Sequence, residues 1–145
     1  MTEDRFNDIT IGTDIVEIQR FRDLESESAF FNRVFTDSER EYCSGYSNPA
    51  PHLAATFAGK EAVVKATSSS CSLSMNAIEI LREENGAPFV RLHVECPLVI
   101  RISLSHSTTH AVAVALAFVQ SVHDQKHIQG ILDDSIQELL PGGEM

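Results

Sequence analysis

Short segments with alternating apolar and polar residues fill the second half of the chain, and this pattern limits the fold more than any other feature. Four such segments follow one another, at residues 77–82, 88–94, 99–104 and 111–119. Asn85-Gly86, between the first two, is the pair favoured in tight hairpin turns. A further strand is expected at residues 9–15. Because strands with short connections pair antiparallel, we predict an α+β domain with an antiparallel sheet.

One long helix is expected to pack against this sheet. Residues 52–67 are rich in alanine, the strongest helix former, and a serine-rich loop follows at 68–74. Apolar residues at helical spacing predict a shorter helix over 17–24. Another short helix is expected to begin at Thr36, which forms a capping-box pattern with Glu39.

The composition limits the size, partners and location of the protein. The 145 residues, 43% of them hydrophobic, suffice for one domain with a real core. The net charge of -10 argues against a nucleic-acid partner, and mildly against an acidic partner unless the cations concentrate on one face. Because no apolar run reaches the length of a membrane span and no secretory signal is recognised, we expect a cytoplasmic protein without a membrane anchor.

The C-terminal region differs in character from the rest. We expect residues 1–120 to form the domain and residues 121–145 to form an appended linker and amphipathic helix. The apolar stripe of that helix consists of Ile128, Ile131, Leu132, Ile136, Leu139 and Leu140. Such a helix is expected to cover a sheet edge or a subunit contact.

The three cysteines, Cys43, Cys71 and Cys96, are widely spaced. No pair has the short spacing of a zinc site or of a redox motif. We therefore expect reduced, partly buried thiols.

Two carboxylates and an amine are the first candidates for chemistry. Asp14 is expected where the first strand ends and a helix begins, and Glu61 and Lys65 share one face of the long helix because they lie four residues apart. If Asp14 and Glu61 meet in space, they offer hard oxygen ligands for Mg²⁺ beside a cation, which suits chemistry on phosphate. Two simpler interpretations stay open. Asp14 would serve as a helix cap, and Glu61 and Lys65 would form a surface pair that stabilises by about 0.3–0.5 kcal/mol.

Ser105-His106-Ser107, at the end of a predicted strand, is the second candidate. A histidine in this position is more often a structural hydrogen-bonding residue than a catalyst. His106 would also serve as a donor to a bound anion.

Three motifs in combination resemble the holo-acyl-carrier-protein synthases, a family within the 4'-phosphopantetheinyl transferase superfamily. They are Gly-Thr-Asp-Ile-Val-Glu-Ile-Gln-Arg at 12–20, Phe-Ala-Gly-Lys-Glu-Ala-Val-Val-Lys-Ala at 57–66, and Ile-Ser-Leu-Ser-His-Ser at 102–107 with His-Ala-Val-Ala-Val-Ala at 110–115. Asn-Gly-Ala-Pro at 85–88 is similar to the Gly-x-Pro turn of that family. The resemblance covers about residues 9–119, most of the chain.

The resemblance implies an Mg²⁺-dependent transfer of the 4'-phosphopantetheine arm from coenzyme A to a serine of apo acyl carrier protein, with adenosine 3',5'-bisphosphate as the by-product. By position, Asp14 and Glu61 match the Mg²⁺ ligands. Lys65 matches the residue near the pyrophosphate, which acts as base or charge stabiliser. Electrostatic stabilisation by the metal and a cation suits the charge that develops on the phosphate.

The resemblance also implies how the site is assembled. Ser105 and His106 match the element that contacts coenzyme A phosphates, supplied by a neighbouring subunit of a homotrimer with sites between chains. Arg20 and Arg22 match the early helix that faces the acidic carrier protein. One departure is the loop after Lys65, where the family usually has a glycine and this chain has serines.

Two alternatives follow from these observations. A catalytically impaired relative would bind a carrier protein without transferring the arm. A metal-dependent phosphohydrolase would need the additional carboxylates or histidines of a two-metal site, which the motifs do not supply.

Overall fold

Two antiparallel sheets and one long helix make up the fold in this computed structural model, which describes residues 9–24, 28–119, 130–131 and 133–134. The strands are β1 (Ile9–Glu17), β2 (Ile78–Arg82), β3 (Pro88–Leu92), β4 (Leu98–His106) and β5 (His110–Val119). The helices are α1 (Gln19–Arg22), α2 (Ala29–Val34), α3 (Asp37–Ser44) and α4 (Ala50–Thr67). The predicted α+β architecture, with antiparallel sheets packed on a long helix, is confirmed.

The strands form a three-stranded sheet in the order β1-β5-β4 and a separate hairpin of β2 and β3. In the larger sheet, Ala113 of β5 lies between Asp14 of β1 and Leu104 of β4. At the hairpin turn, Gly86 has a φ of 87°, a left-handed conformation that glycine adopts without strain. The Asn85-Gly86 turn therefore stands where the sequence predicts it.

Helix α4 packs on the larger sheet through small side chains. The alanines of this contact are buried to 1% exposure or less, and they are Ala58, Ala62 and Ala66 of α4 with Ala113, Ala115 and Ala117 of β5. Gly12 of β1 comes closest, since a Cβ atom there would lie 2.0 Å from the carbonyl oxygen of Ala62. Strand β1 can approach the helix this closely only because residue 12 has no side chain.

The helices before α4 differ in part from the prediction. Helix α1 has only four residues, shorter than the predicted 17–24. Helix α2 was not predicted; Ser28 caps it by accepting a hydrogen bond from the Phe31 amide at 3.2 Å. The capping box of Thr36 and Glu39 is confirmed at the start of α3. Helix α4 begins two residues earlier than expected, with Pro51 in its first turn, where proline is favoured.

The expectation of three reduced thiols is wrong for two of the cysteines. Cys71 and Cys96 form a disulfide across a sequence separation of 25 residues. Sequence spacing did not indicate the bond because the fold alone brings the two loops together. Cys43 is a free, fully buried thiol, and burial raises its pKa to about 11.

The predicted linker and C-terminal helix lie largely outside the described residues. Residues 130–131 and 133–134 are helical, and the prediction for the rest of 121–145 stays a prediction. Among the helices that the structure describes, none combines the length and the hydropathy needed to cross a bilayer.

Replacing Gly12 by alanine is expected to destabilise the protein by about 3 kcal/mol or more, because the new methyl group would force β1 away from α4. Urea denaturation followed by circular dichroism measures the free energy of unfolding. The matched control is Gly130→Ala, where a Cβ atom would have no neighbour within 4 Å among the described residues, and its free energy of unfolding should change by less than about 1 kcal/mol. Equal stability of the two variants would contradict the close packing.

Candidate functional site

Asp14 and Lys65 meet at the contact between β1 and α4. The ammonium of Lys65 donates to Oδ1 of Asp14 at 3.2 Å and to the carbonyl oxygen of Thr13 at 2.8 Å. The Asp14 side chain is 17% exposed and that of Lys65 is 53% exposed, so the pair lies at the surface with the carboxylate partly enclosed. Asp14 lies inside β1, and Ile18 precedes the first turn of α1. The interpretation of Asp14 as a helix cap is therefore wrong.

Glu61 lies on α4 one turn before Lys65 and is half-buried. Strand β1 runs antiparallel to α4, because Thr10 bonds to the carbonyl of Ala66 and Gly12 lies against Ala62. Asp14 therefore lies beside the turn of α4 that carries Glu61 and Lys65. The ion pair that the structure gives Lys65 is with Asp14 rather than with Glu61, so the local surface pair is not what holds this lysine.

This donor set suits a hard divalent cation. Asp14 contacts the ammonium of Lys65, and Glu61 lies one turn away on α4, so two carboxylates stand against one cation. Within the described part of the chain, no cluster of three or more histidine, cysteine, aspartate or glutamate side chains could hold a metal. An ion here would thus take only two protein ligands, which is how Mg²⁺ commonly binds when substrate phosphates and water complete its octahedron.

Lys60, next to Glu61 in sequence, has a structural role. Its ammonium is fully buried and donates to Glu39 and to the carbonyl oxygen of Val34. Burial lowers the pKa of Lys60, and the charge of Glu39 opposes this shift. Glu39 also accepts from the amide of Ile80 at 2.9 Å, so the pair joins α3, α4 and β2. Neighbouring helical residues point about 100° apart, so anchoring Lys60 in the interior directs Glu61 toward a different side of α4.

His106 stands at the end of β4 among aromatic and cationic side chains that the sequence did not connect with it. Its ring centroid lies 5.9 Å from that of His52, and His52 stacks on Tyr46 at 3.6 Å. Burial lowers the pKa of His52, and the charges of His106 and Arg82 lower it further. Three cationic or titratable groups close together favour a bound anion. No sequence signal could have indicated this cluster, because α4, β2 and β4 each supply one of these groups.

Within one chain, the structure does not bring the Ser105-His106 element to Asp14 and Lys65. His106 contacts His52 near the beginning of α4, whereas Lys65 lies near its end. The two positions on α4 are roughly 20 Å apart along the helix axis. Ser105 is exposed and, as the neighbour of His106 on a strand, points to the opposite face of the sheet.

Arg20 and Arg22 are exposed on α1, as the sequence predicts. The guanidinium of Arg20 lies 5.2 Å from the ring centroids of both Phe30 and Phe57, which holds it against an aromatic surface. Arg22 and Arg40 line a cavity of about 340 Å³ beside the helices before α4. Arg20, Arg22 and Arg40 therefore give the helices before α4 a local group of cations on an acidic protein.

The face of the larger sheet that points away from α4 is apolar and exposed. On β1, Ile11 is 64% exposed and Ile15 is 63% exposed; on β5, Val112 is 38% and Val114 is 43% exposed. The pairing register places Ile15 opposite Val112, so these side chains form one patch. A contiguous apolar patch of this kind is typical of a contact with another protein surface.

The pKa of His52 is expected to lie below its ordinary value near 6.5, and His106→Ala is expected to raise it, because a neighbouring positive charge is removed. Imidazole titration by NMR measures both values. In the unsubstituted protein the pKa of His52 is lower in the folded state than in the unfolded chain, so the unfolded chain binds the proton more tightly. His52 therefore makes the free energy of unfolding rise with pH up to about 6.5. His93→Ala, in the contact with Glu79, is the control and should leave the His52 pKa unchanged. A His52 pKa insensitive to His106→Ala would contradict the cluster.

Comparison with known proteins adds independent information. A family model described as the 4'-phosphopantetheinyl transferase superfamily matches residues 10–117. The holo-[acyl-carrier-protein] synthase of Chlorobaculum parvum is 45% identical over 114 residues, with 76% of this chain and 97% of the relative covered. The holo-[acyl-carrier-protein] synthase of Caldanaerobacter subterraneus subsp. tengcongensis is 37% identical over 120 residues, with 76% of this chain and 94% of the relative covered.

Solved structures agree in fold. A holo-(acyl-carrier-protein) synthase of Bacillus anthracis str. Ames, in complex with CoA (3',5'-ADP), has a TM-score of 0.67 at 29% identity and matches 77% of this chain and 96% of its own. The ACPS-CoA complex of Chronobacterium ammoniagenes has a TM-score of 0.68 at 27% identity and matches 78% of this chain and 98% of its own.

Proposed function

Because the chain belongs to the 4'-phosphopantetheinyl transferase superfamily, we propose that it transfers the 4'-phosphopantetheine arm of coenzyme A to a serine of apo acyl carrier protein. The observation that carries the proposal is the contact of Asp14 with Lys65 beside Glu61. In the reaction, the serine oxygen of the carrier forms a bond to the β-phosphorus of coenzyme A. The bond to adenosine 3',5'-bisphosphate breaks, and the serine hydroxyl loses its proton.

Asp14 and Glu61 are the residues that would hold Mg²⁺. The bound ion would neutralise charge on the pyrophosphate and polarise the phosphorus that is attacked. Lys65 already has its ammonium at the carboxylate of Asp14, with a half-exposed side chain that reaches solvent. As the ammonium it can donate to a phosphate oxygen of the leaving group. Only as the neutral amine would it accept the proton of the serine. The half-buried positions of the carboxylates limit competition from water for the same atoms.

His106 and Ser105 would contact the phosphates of coenzyme A, and Arg82 supports this role because its guanidinium adds a positive charge to the cluster around His52. The distance along α4 between His52 and Lys65 separates this cationic cluster from the carboxylates of its own chain. We therefore propose a homotrimer in which His106 of one chain completes the site that contains Asp14 of its neighbour. The exposed apolar patch on β1 and β5 would provide the subunit contact.

Arg20 and Arg22 would dock the acidic carrier protein. They are exposed on α1, which directly follows the strand that carries Asp14. A carrier bound there could present its serine to the Asp14 site. The cytoplasmic location expected from the sequence stays a prediction.

The alternative of a relative that binds a carrier without transfer is not favoured. Asp14, Glu61 and Lys65 are all present, Lys65 contacts Asp14, and Glu61 lies one turn before Lys65 on α4. The curated relatives are synthases. The serine loop after α4 changes what would surround the nucleotide, but it leaves the two carboxylates in place.

Incubation with coenzyme A, Mg²⁺ and apo carrier protein should increase the carrier mass by one phosphopantetheine arm. Asp14→Asn and Glu61→Gln should each lower the rate at least about 100-fold, because each removes one charged ligand of the metal. Mass spectrometry of the carrier gives the rate, and circular dichroism checks that the variants are folded. Glu17→Gln, an exposed carboxylate on the same strand as Asp14, is the matched control. Substantial activity in either site variant would refute the ligand assignment, and no mass increase with several carriers would refute the transfer.

His106→Ala is expected to raise the KM for coenzyme A about 10-fold or more, because a donor to a phosphate is lost. Steady-state kinetics measure this, with His93→Ala as the control. At coenzyme A concentrations well below KM, where His106→Ala lowers the rate, coexpression of His106→Ala chains with Asp14→Asn chains should restore full activity at about one quarter of the sites, those in which each chain supplies its intact residue. No recovery in mixed oligomers would argue that the two residues act within one chain.

A further inference from the structure

The disulfide between Cys71 and Cys96 connects two loops that the proposed reaction does not use. Cys71 lies four residues after the end of α4, and its amide donates to the carbonyl oxygen of Thr67 at 2.8 Å. Cys96 lies in the connection between β3 and β4. The Cα atoms are 6.4 Å apart, within the range that a disulfide bridges without backbone movement.

The bond joins a part of the fold that no strand pairing connects to the larger sheet. The β2–β3 hairpin is a sheet of its own, with no ladder to the strands β1, β5 and β4. Cys96 lies in the segment that leads from this hairpin into the larger sheet, and Cys71 lies in the loop that follows the helix that carries Lys65. The disulfide therefore ties the end of the Lys65 helix to the place where hairpin and sheet are joined.

The three cysteines differ in their suitability for thiol exchange. Cys71 and Cys96 are each partly exposed, so a small thiol or disulfide in solution can reach them. Cys43 is fully buried between α3 and α4, and burial raises the pKa of its thiol to about 11, which keeps it in the unreactive protonated form. The chain thus contains one cysteine pair that small thiols can reach. The buried thiol of Cys43 serves as an internal reference that should not take part in exchange.

We propose that Cys71 and Cys96 are a reversible redox site, which orders the loop after Lys65 when oxidised and releases it when reduced. The oxidant is a low-molecular-weight disulfide such as glutathione disulfide. The thiolate of one cysteine attacks it, forms a mixed disulfide and expels one glutathione thiolate. The thiolate of the other cysteine then displaces the second glutathione. The protein loses two electrons and two protons and gains one disulfide, while one glutathione disulfide becomes two glutathione molecules; excess glutathione reverses the sequence.

The link to the transfer reaction rests on the proposed function. A loop that is free in the reduced protein must be ordered when coenzyme A binds beside Lys65, and ordering costs affinity. The reduced form is therefore expected to have a KM for coenzyme A about 3-fold higher than that of the oxidised form.

The test equilibrates the full-length protein with glutathione buffers of different redox potential and traps free thiols with N-ethylmaleimide under denaturing conditions. Intact mass should show one modified cysteine at the oxidising end and three at the reducing end, with full reversal when the buffer is exchanged. Cys71→Ser and Cys96→Ser should each abolish the transition, whereas the control Cys43→Ala should keep it. Three modified cysteines in every buffer, a disulfide that no glutathione buffer reduces, or participation of Cys43 would overturn the proposal.

Thermal unfolding gives a second measurement that needs no activity. The oxidised protein is expected to melt about 10 °C above the reduced protein, because the bond restricts the unfolded chain. Hydrogen exchange in residues 68–74 should be slower when oxidised, and unchanged exchange would contradict the ordering of the loop. Equal KM values in two forms that both transfer the arm would overturn the link to the reaction. If neither form transfers the arm, the proposed function fails while the mass and melting results still decide the redox site.

Discussion

The contact of α4 with the larger sheet is the constraint on which the rest of this structure depends. Alanines on both surfaces and Gly12 on β1 allow the helix and the sheet to approach so closely that one added methyl group would overlap a carbonyl oxygen. This distance lets Lys65, on the helix, bond to Asp14 and to the carbonyl of Thr13 on the strand. A larger residue at position 12 would separate the very groups that make the site.

A second anchor determines which side of α4 faces the strand. The buried ion pair of Lys60 and Glu39 ties the helix to α3 and, through the amide of Ile80, to β2. Breaking one partner of such a pair leaves an uncompensated buried charge, so this connection resists rotation of the helix. The two neighbouring residues Lys60 and Glu61 therefore have separate roles, one in the interior and one at the site. The two candidate groups lie near opposite ends of α4, with Lys65 at Asp14 and His106 at His52.

The sequence predicted those parts of the structure that depend on local interactions. The alternating strands, the turn at Gly86 and the capping box of Thr36 are each decided by residues near one another in the chain. Helix α2 was missed because its six residues follow a polar segment and are too few to show a helical period, while their aromatic side chains pack on residues distant in the chain, as Phe30 does on Phe57. The strand containing Asp14 was predicted too short, because β1 is extended to Glu17 by its pairing with β5, which no local pattern reveals.

By itself, the sequence determined the class of fold, the elements that carry the candidate residues and, through motif resemblance, the family. Only the tertiary structure decided which of these residues meet. It joined Asp14 to Lys65, placed His106 near His52 at the other end of α4 and linked Cys71 to Cys96. The physical reason is that periodicity and capping act over a few residues, whereas these contacts join residues that are 25 or more positions apart and exist only once the helix has packed on the sheet.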